Sequence, residues 1–186
     1  MLNTFVVYVE NKPGVLTRVA SLFRRRAFNI DSLTVGRTEK PEVSRMTIVV
    51  DADHDQAMRV EANLYKLVEV LFVENITAKP AISRDLAMIK VAATHEARSH
   101  VLELANVFRA RVVDVAPDSL TIEITGGEDK IDGLLEVLRP YGVMEMVRTG
   151  IVAMRRGTKS TDTSPSLPSG TGLEPAAPED NVSYSV

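Results

Sequence analysis

Apolar residues recur along this chain with two different periods, and each period predicts one kind of element. Alternating positions and short β-branched runs predict strands, whereas apolar residues three and four positions apart predict helices. In the first half these patterns predict strands at 3–10, 29–38, 44–51 and 70–77, a helix that begins near Val15, and a helix at roughly 54–68. Asp51, Asp53 and Asp55 are the candidate N-caps of the second helix.

The second half repeats the same order of elements. Its patterns predict strands at 83–93, 111–116, 119–125 and 143–154, and helices at 95–109 and 128–139. Thr94 is the candidate cap of the first of these helices. The two halves share no convincing sequence identity, so the repeat, with a period of about 80 residues, is one of architecture.

The order strand–helix–strand–strand–helix–strand is that of the ferredoxin-like arrangement. We therefore predict an α+β chain of two such domains in tandem, at 1–78 and 79–157, each with an antiparallel sheet and both helices on one face. The other face of each sheet then needs cover, which favours dimerisation. Residues 158–186 are rich in Ser, Thr, Pro and Gly, and we expect a disordered tail there.

Composition removes several classes of function. The chain has no cysteine, which excludes disulfides, cysteine-ligated metals and thiol nucleophiles. Its net charge of −3 gives no sign of a nucleic-acid footprint. The N-terminal segment lacks the basic and long apolar regions of a signal peptide or membrane span. We expect a soluble cytoplasmic protein.

Candidate catalytic residues are few. The three histidines are His54, His95 and His100; the last two are about 140° apart on a helix and do not converge on one metal. Gly126-Gly127 could cradle an anion before a helix, but a turn that ends a strand is the favoured interpretation. Walker A, G-x-S-x-G and G-x-G-x-x-G motifs are absent from the sequence. We therefore predict no catalytic residues and no metal site.

A run of three arginines, Arg24–Arg26, ends the first predicted helix. Favourable interaction with the helix C-terminus, together with solubility, is the favoured explanation. The alternative is a surface for an acidic partner. A charged turn at 37–45 has the same two interpretations.

The segment from Glu10 to Leu16 is the strongest local candidate for ligand binding. A strand ends there, Asn11 and Gly14 follow, and a helix begins. Helix N-termini present free N–H groups, and a glycine lets a carboxylate approach the backbone closely. The asparagine offers a donor and an acceptor, which suits a zwitterion. On the loop alone, an ordinary turn remains the favoured explanation.

Several motifs together resemble the small, regulatory subunits of acetolactate synthase, also called acetohydroxyacid synthase. The N-terminal motifs are typical of that family's ACT domain: E-N-x-x-G-V-L-x-R-V at 10–19, L-F-x-x-R at 22–26, F-N-I-x-S-L-T-V at 28–35 and S-R-M-T-I at 44–48. The second half resembles the family's C-terminal domain in R-D-L-A-M-I-K-V at 84–91 and G-I-V-A-M-R-R-G at 150–157. The resemblance covers about 1–157 of the chain.

This resemblance implies a regulatory subunit without an active site of its own. Its partner would be a large catalytic subunit that uses thiamine diphosphate, Mg²⁺ and FAD. The small subunit would raise the activity of the large one and confer feedback inhibition by valine, or by leucine or isoleucine. It would form a homodimer through paired ACT domains, with the amino acid bound at their interface.

The resemblance also implies a set of effector-binding residues: Asn11, Gly14, Val15 and Leu16 from one chain, and Asn29 and Ile30, expected from the partner chain. Backbone N–H groups at 14–16 would bind the carboxylate, and Asn amides and carbonyls the ammonium. One methylene changes affinity by only about 1–3 kcal/mol, so the sequence does not choose among the three amino acids. The alternative function is a free-standing ACT-type amino-acid sensor that acts on another enzyme or on transcription.

Overall fold

The computed structural model describes residues 1–157, which form two antiparallel sheets, each with two α-helices on one face. The first half contains β1 (Leu2–Glu10), α1 (Val15–Arg25), β2 (Ile30–Arg37), β3 (Val43–Asp51), α2 (His54–Leu64) and β4 (Val70–Asn75). Its strands lie in the order β2-β3-β1-β4. This is the topology of a ferredoxin-like fold, as predicted.

The second half has the same topology with one added strand. It contains β5 (Ala81–Ala92), α3 (Arg98–Val107), β6 (Arg111–Val115), β7 (Ser119–Gly126), α4 (Glu128–Leu138), a 3₁₀ turn (Arg139–Tyr141), β8 (Val143–Arg148) and β9 (Val152–Arg155). The strand order is β6-β7-β5-β8, and β9 pairs with the first residues of β5. Two tandem α+β domains of ferredoxin-like architecture are thereby confirmed.

Each half has its own hydrophobic core between sheet and helices. In β1, Phe5, Val7 and Val9 are buried under α1 and α2, and the alternation of the strand sets which residues they are. In β5, Ile89 and Val91 are buried in the same way under α3 and α4. Alternate residues of a central strand therefore form the helix-covered face of each sheet.

Two predicted helices differ from the structure at their ends. Asp53, one of three candidates, caps α2: its side chain accepts from the Gln56 N–H at 2.8 Å, and the Gln56 side chain accepts from the Asp53 N–H at 2.9 Å. The helix ends at Leu64 rather than near 68, because tight turns follow. The prediction that Thr94 caps the next helix is wrong. That helix, α3, starts at Arg98 and has no side-chain cap.

The predicted last strand, 143–154, is two strands in the structure. The chain turns at Gly150, where φ is +84°, a value that favours glycine. β8 pairs with Ala87–Val91 of β5, and after the break β9 continues in the same direction, antiparallel to β5, beside Ala81–Arg84. The apolar pattern continues through the break, so periodicity alone does not reveal it.

The face of the first sheet without helices is covered in part by the second half of the chain. Val6, Ile76 and Ala153 form a small buried cluster there, and Tyr8 and Ile151 pack against it. Part of the cover that this face needs therefore comes from within one chain, and dimerisation stays a prediction. The open face of the second sheet remains accessible in the described chain; for example, Met88 and Val147 are 40% and 47% exposed.

Candidate functional site

The loop between β1 and α1 has the backbone geometry that the sequence indicated. Gly14 is the N-cap of α1 with φ +85°, and no side chain caps the helix. No acidic residue lies in the first turn, so its partial positive charge is not neutralised locally. α3 and α4 also start without a side-chain cap, so this feature gains meaning only from the residues around it.

Asn11 joins this loop to the turn between β2 and β3. Its backbone N–H donates to Glu42 O at 2.7 Å, and its side-chain Nδ2 donates to Pro41 O at 2.8 Å. The side-chain oxygen makes no hydrogen bond within residues 1–157. Asn11 is thus held in place by its donor, and its acceptor has no partner within residues 1–157.

Val15 and Leu16 have different environments. Val15 is 5% exposed and belongs to the core of the first half, so its side chain is not available to line a pocket. Its N–H makes only a long contact, 3.4 Å, to Lys12 O. Leu16 is 44% exposed and offers an apolar surface beside the helix start. A ligand beside this helix start could therefore contact the backbone N–H of Val15 and the side chain of Leu16.

Asn29 and Ile30 lie at the other end of the sheet from this loop. Ile30 pairs with Val50 of β3, whereas Glu10, next to the loop, pairs with Val43. Seven strand residues separate the two positions, about 23 Å at the usual rise per residue. One chain therefore does not bring the six predicted residues together.

β2 also carries a contact that the sequence did not indicate. The Ile151 N–H donates to Ser32 Oγ at 2.9 Å, and the Thr34 hydroxyl donates to Ile151 O. A Cβ on Gly150 would lie 2.6 Å from Ser32 Oγ, so glycine is required for this approach. The chain between β8 and β9 is thus fitted against β2, the strand that begins at Ile30.

A cavity of about 430 Å³ lies beside this contact, between the two halves. Asp85, 3% exposed, accepts from Arg148 Nε at 2.7 Å and from the Thr149 hydroxyl at 3.0 Å. Partial burial of the Arg148 guanidinium lowers its pKa, because burial disfavours the charged form. The hydrogen bond to Asp85 and the negative charges of Asp85, Asp132 and Glu128 have the larger effect, so the pKa of Arg148 is raised. This pair holds the end of β8 where the chain turns toward β2.

Two further features of residues 1–157 bear on function. No group of three or more histidine, aspartate or glutamate side chains is placed to hold a metal ion in this part of the chain. No helix in it is long and apolar enough to cross a membrane.

Comparisons with known proteins agree with the fold and the motifs. A family model for the small-subunit-like ACT domain of acetohydroxyacid synthase matches residues 5–72, and one for the small subunit of acetolactate synthase matches 84–157. A probable acetolactate synthase small subunit from Archaeoglobus fulgidus is 53% identical over 159 residues, 86% of this chain and 99% of that protein. The acetolactate synthase small subunit of Mycobacterium bovis is 47% identical over 162 residues, 87% of this chain and 96% of that one.

A solved structure supports the same assignment. The crystal structure of the acetolactate synthase small subunit from Thermotoga maritima matches with a TM-score of 0.78 and 39% identity, over 84% of this chain and 98% of that one. Both halves are therefore matched in sequence, and the whole described fold in structure. The chain belongs to the family of acetolactate synthase small, regulatory subunits, with an N-terminal ACT domain.

Proposed function

We propose that this chain activates a large catalytic subunit of acetolactate synthase and confers feedback inhibition by a branched-chain amino acid, with valine as the first candidate. The observation that carries the proposal is the start of α1, where Gly14 and the free acceptor of Asn11 adjoin an uncapped helix. Such a site pairs with both charged ends of a free amino acid. The chain itself would be non-catalytic, with thiamine diphosphate, Mg²⁺ and FAD bound by the large subunit.

The separation of the two halves of the site supports a homodimer. β2 is an edge strand that pairs only with β3 within residues 1–157. If two copies pair through antiparallel β2 strands, the Ile30 end of one lies beside the Arg37 end of the other. Arg37 pairs with Ser44, and the neighbouring residue Val43 pairs with Glu10. The Arg37 end of β2 is therefore the end of the sheet at which the Asn11 loop lies. A twofold dimer would thus bring Asn29 and Ile30 to the partner's loop.

The ligand chemistry of the assembled site follows from these positions. Backbone N–H groups at 14–16 would bind the carboxylate, and Asn11 Oδ1 with Asn29 would bind the ammonium. Leu16 and Ile30 would contact the branched side chain. In an apolar pocket the binding free energies of valine and of leucine or isoleucine differ by only about 1–3 kcal/mol. Valine therefore remains the first candidate among three.

Regulation would be a linkage between effector binding and the state of the large subunit. The effector would change how two ACT domains pair through β2, and the same strand holds Ile151 of the second half. A shift of β2 would therefore reach both halves of the small subunit. Coupling of this kind is typically about 1–3 kcal/mol, and the effector would also tighten the dimer by the same linkage.

Calorimetric titration of the full chain with L-valine, leucine and isoleucine tests the effector site. We expect binding by the wild type and its loss in Asn11→Ala and Gly14→Asp. Gly127→Asp controls for an added charge at a helix N-cap, because Gly127 caps α4 and has open space around it. Gly127 has φ −74° whereas Gly14 has φ +85°, so circular dichroism of Gly14→Asp checks that this variant is folded. Equal binding by Gly14→Asp and Gly127→Asp would contradict the proposed site.

A free-standing ACT-type amino-acid sensor is the alternative function. It would share the fold and the effector site but would form no complex with a catalytic subunit. Co-expression with the acetolactate synthase large subunit, followed by affinity purification, separates the two. Recovery of a complex with raised acetolactate synthase activity supports the regulatory subunit, and a small subunit that purifies alone supports the sensor.

A further inference from the structure

A cationic cleft lies where α1 and α2 both end. Its volume is about 390 Å³, and its floor is formed by Leu22 and Leu67. The polar lining consists of Arg25, Arg26, Lys66 and the Asn63 amide, and no carboxylate lines it. The cleft therefore combines three positive charges with an apolar floor.

Two of these cations converge on one neutral atom. Arg26 Nη2 lies 3.4 Å and Lys66 Nζ 3.2 Å from Asn63 Oδ1. The Asn63 Nδ2 donates to Arg59 O at 2.7 Å, which orients the oxygen toward the cations. A carboxylate is the usual partner of two such groups, and an amide oxygen does not neutralise them. The arrangement leaves net positive charge that an added anion would balance.

These cations also lack ion pairs elsewhere in the described chain. Arg25, Arg26 and Lys66 form no salt bridge within residues 1–157, whereas Arg18 of α1 pairs with Glu69. Their positions at helix C-termini are favourable. That effect does not use their hydrogen-bond donors, because backbone N–H groups of residues 26–28 already bond the last carbonyls of α1.

We propose that this cationic cleft is a docking site for an acidic segment on the surface of the partner catalytic subunit. The inference rests on the proposed function. Two helix C-termini meet at the cleft, so the backbone there presents carbonyls and none of the N–H groups that usually hold a phosphate. Attraction comes only from long, adaptable side chains spread over both helix ends, which suits several carboxylates of a protein segment.

The position of the cleft leaves it free for such a partner. α1 and α2 lie on the face of the first sheet that buries Phe5 and Ile48. The second half of the chain contacts the opposite face, through Ala153 and Ile151. Docking at the cationic cleft and the contact between the two halves can therefore exist together.

The test measures association of the full-length small subunit with the catalytic subunit by biolayer interferometry at several KCl concentrations. We expect wild-type affinity to fall as KCl rises, because the contact is electrostatic. The double variant Arg25→Glu/Arg26→Glu and the single variant Lys66→Glu should lose affinity, the double by roughly tenfold or more at low salt, with a shallower salt dependence. The matched control is Arg109→Glu/Arg139→Glu, exposed on the second half.

Each outcome decides the inference. A loss confined to the variants of the cationic cleft supports it. Equal affinity in the cleft and control variants overturns the docking site while the proposed function stands, and a wild type that forms no complex overturns both. Sedimentation of the small subunit alone tests whether a second copy of the chain occupies the cleft. A lower oligomer mass in the cleft variants, with no change in the control variant, would assign the cleft to that second copy and overturn the proposal.

Discussion

Replacing Gly150 by alanine should weaken the contact between the two halves and lower the free energy of unfolding. Gly150 has φ +84°, and alanine in the left-handed region costs about 1–2 kcal/mol. Its Cβ would also lie 2.6 Å from Ser32 Oγ, which receives the Ile151 N–H. Losing that hydrogen bond costs about 1 kcal/mol more, so we expect a total loss of about 2–3 kcal/mol.

Gly142→Ala is the matched control for the backbone part of this cost. Gly142 has φ +92°, but its added Cβ would meet only Ala92 Cβ at 3.7 Å, an ordinary contact. The Gly142→Ala variant should lose about 1–2 kcal/mol of unfolding free energy, because only the left-handed backbone conformation opposes the alanine. Urea unfolding followed by circular dichroism gives both values.

A double-mutant cycle isolates the clash with Ser32. In Ser32→Ala the Oγ is absent, so the further change Gly150→Ala should cost no more than the backbone strain. The reasoning would be refuted by equal losses in Gly150→Ala and Gly142→Ala, or by strict additivity of the changes at 150 and 32. Either result would mean that the turn between β8 and β9 is not fitted against β2.

Three other changes test single contacts, and urea unfolding measures each. Asp85→Ala should cost about 1–3 kcal/mol of stability, because it leaves the half-buried guanidinium of Arg148 without its closest partner. Asp132→Ala removes a 52% exposed carboxylate from the same guanidinium and should cost at most about 1 kcal/mol. Equal losses would contradict the difference in burial between the two carboxylates. Val15, 5% exposed, should lose about 1–2 kcal/mol of stability when replaced by alanine. Leu16, 44% exposed, should tolerate replacement by alanine with almost no loss of stability, but valine binding measured by calorimetry should weaken. A larger loss of stability in Leu16→Ala than in Val15→Ala would contradict this difference in exposure. Asp53→Ala should cost about 1 kcal/mol through loss of the α2 cap, and a loss near zero would show that the capping box contributes nothing.

Local patterns predicted most of the fold because each element is defined by its own period. Alternation identifies the buried face of β3, where Met46, Ile48 and Val50 all lie in the core, whereas the continuous apolar run of β1 predicts a strand without identifying its helix-covered face. Apart from the break at Gly150, the predictions that differ from the structure concern the ends of elements. Thr94 is a good cap by residue type, but the chain reaches helical geometry only at Arg98. Helix ends depend on neighbouring packing as well as on the capping residue.

The candidate site was predicted in part for the same reason. The backbone at Gly14 and the exposed Leu16 follow from a short local motif, and the structure has both. The burial of Val15 depends on how α1 packs on the sheet, and no local pattern contains that information. Whether Asn29 and Ile30 meet the loop depends on a second copy, and remains a prediction.

The sequence by itself determined the two tandem folds, the position of the loop at Asn11 and Gly14, and the family, because periodicity and short motifs are properties of neighbouring residues. Only the tertiary structure decided how the halves meet. The break at Gly150 and the bonds from Ile151 to Ser32 and Thr34 join residues more than a hundred positions apart. Such contacts arise from the packing of one completed sheet on another, and no periodic pattern along the chain encodes them.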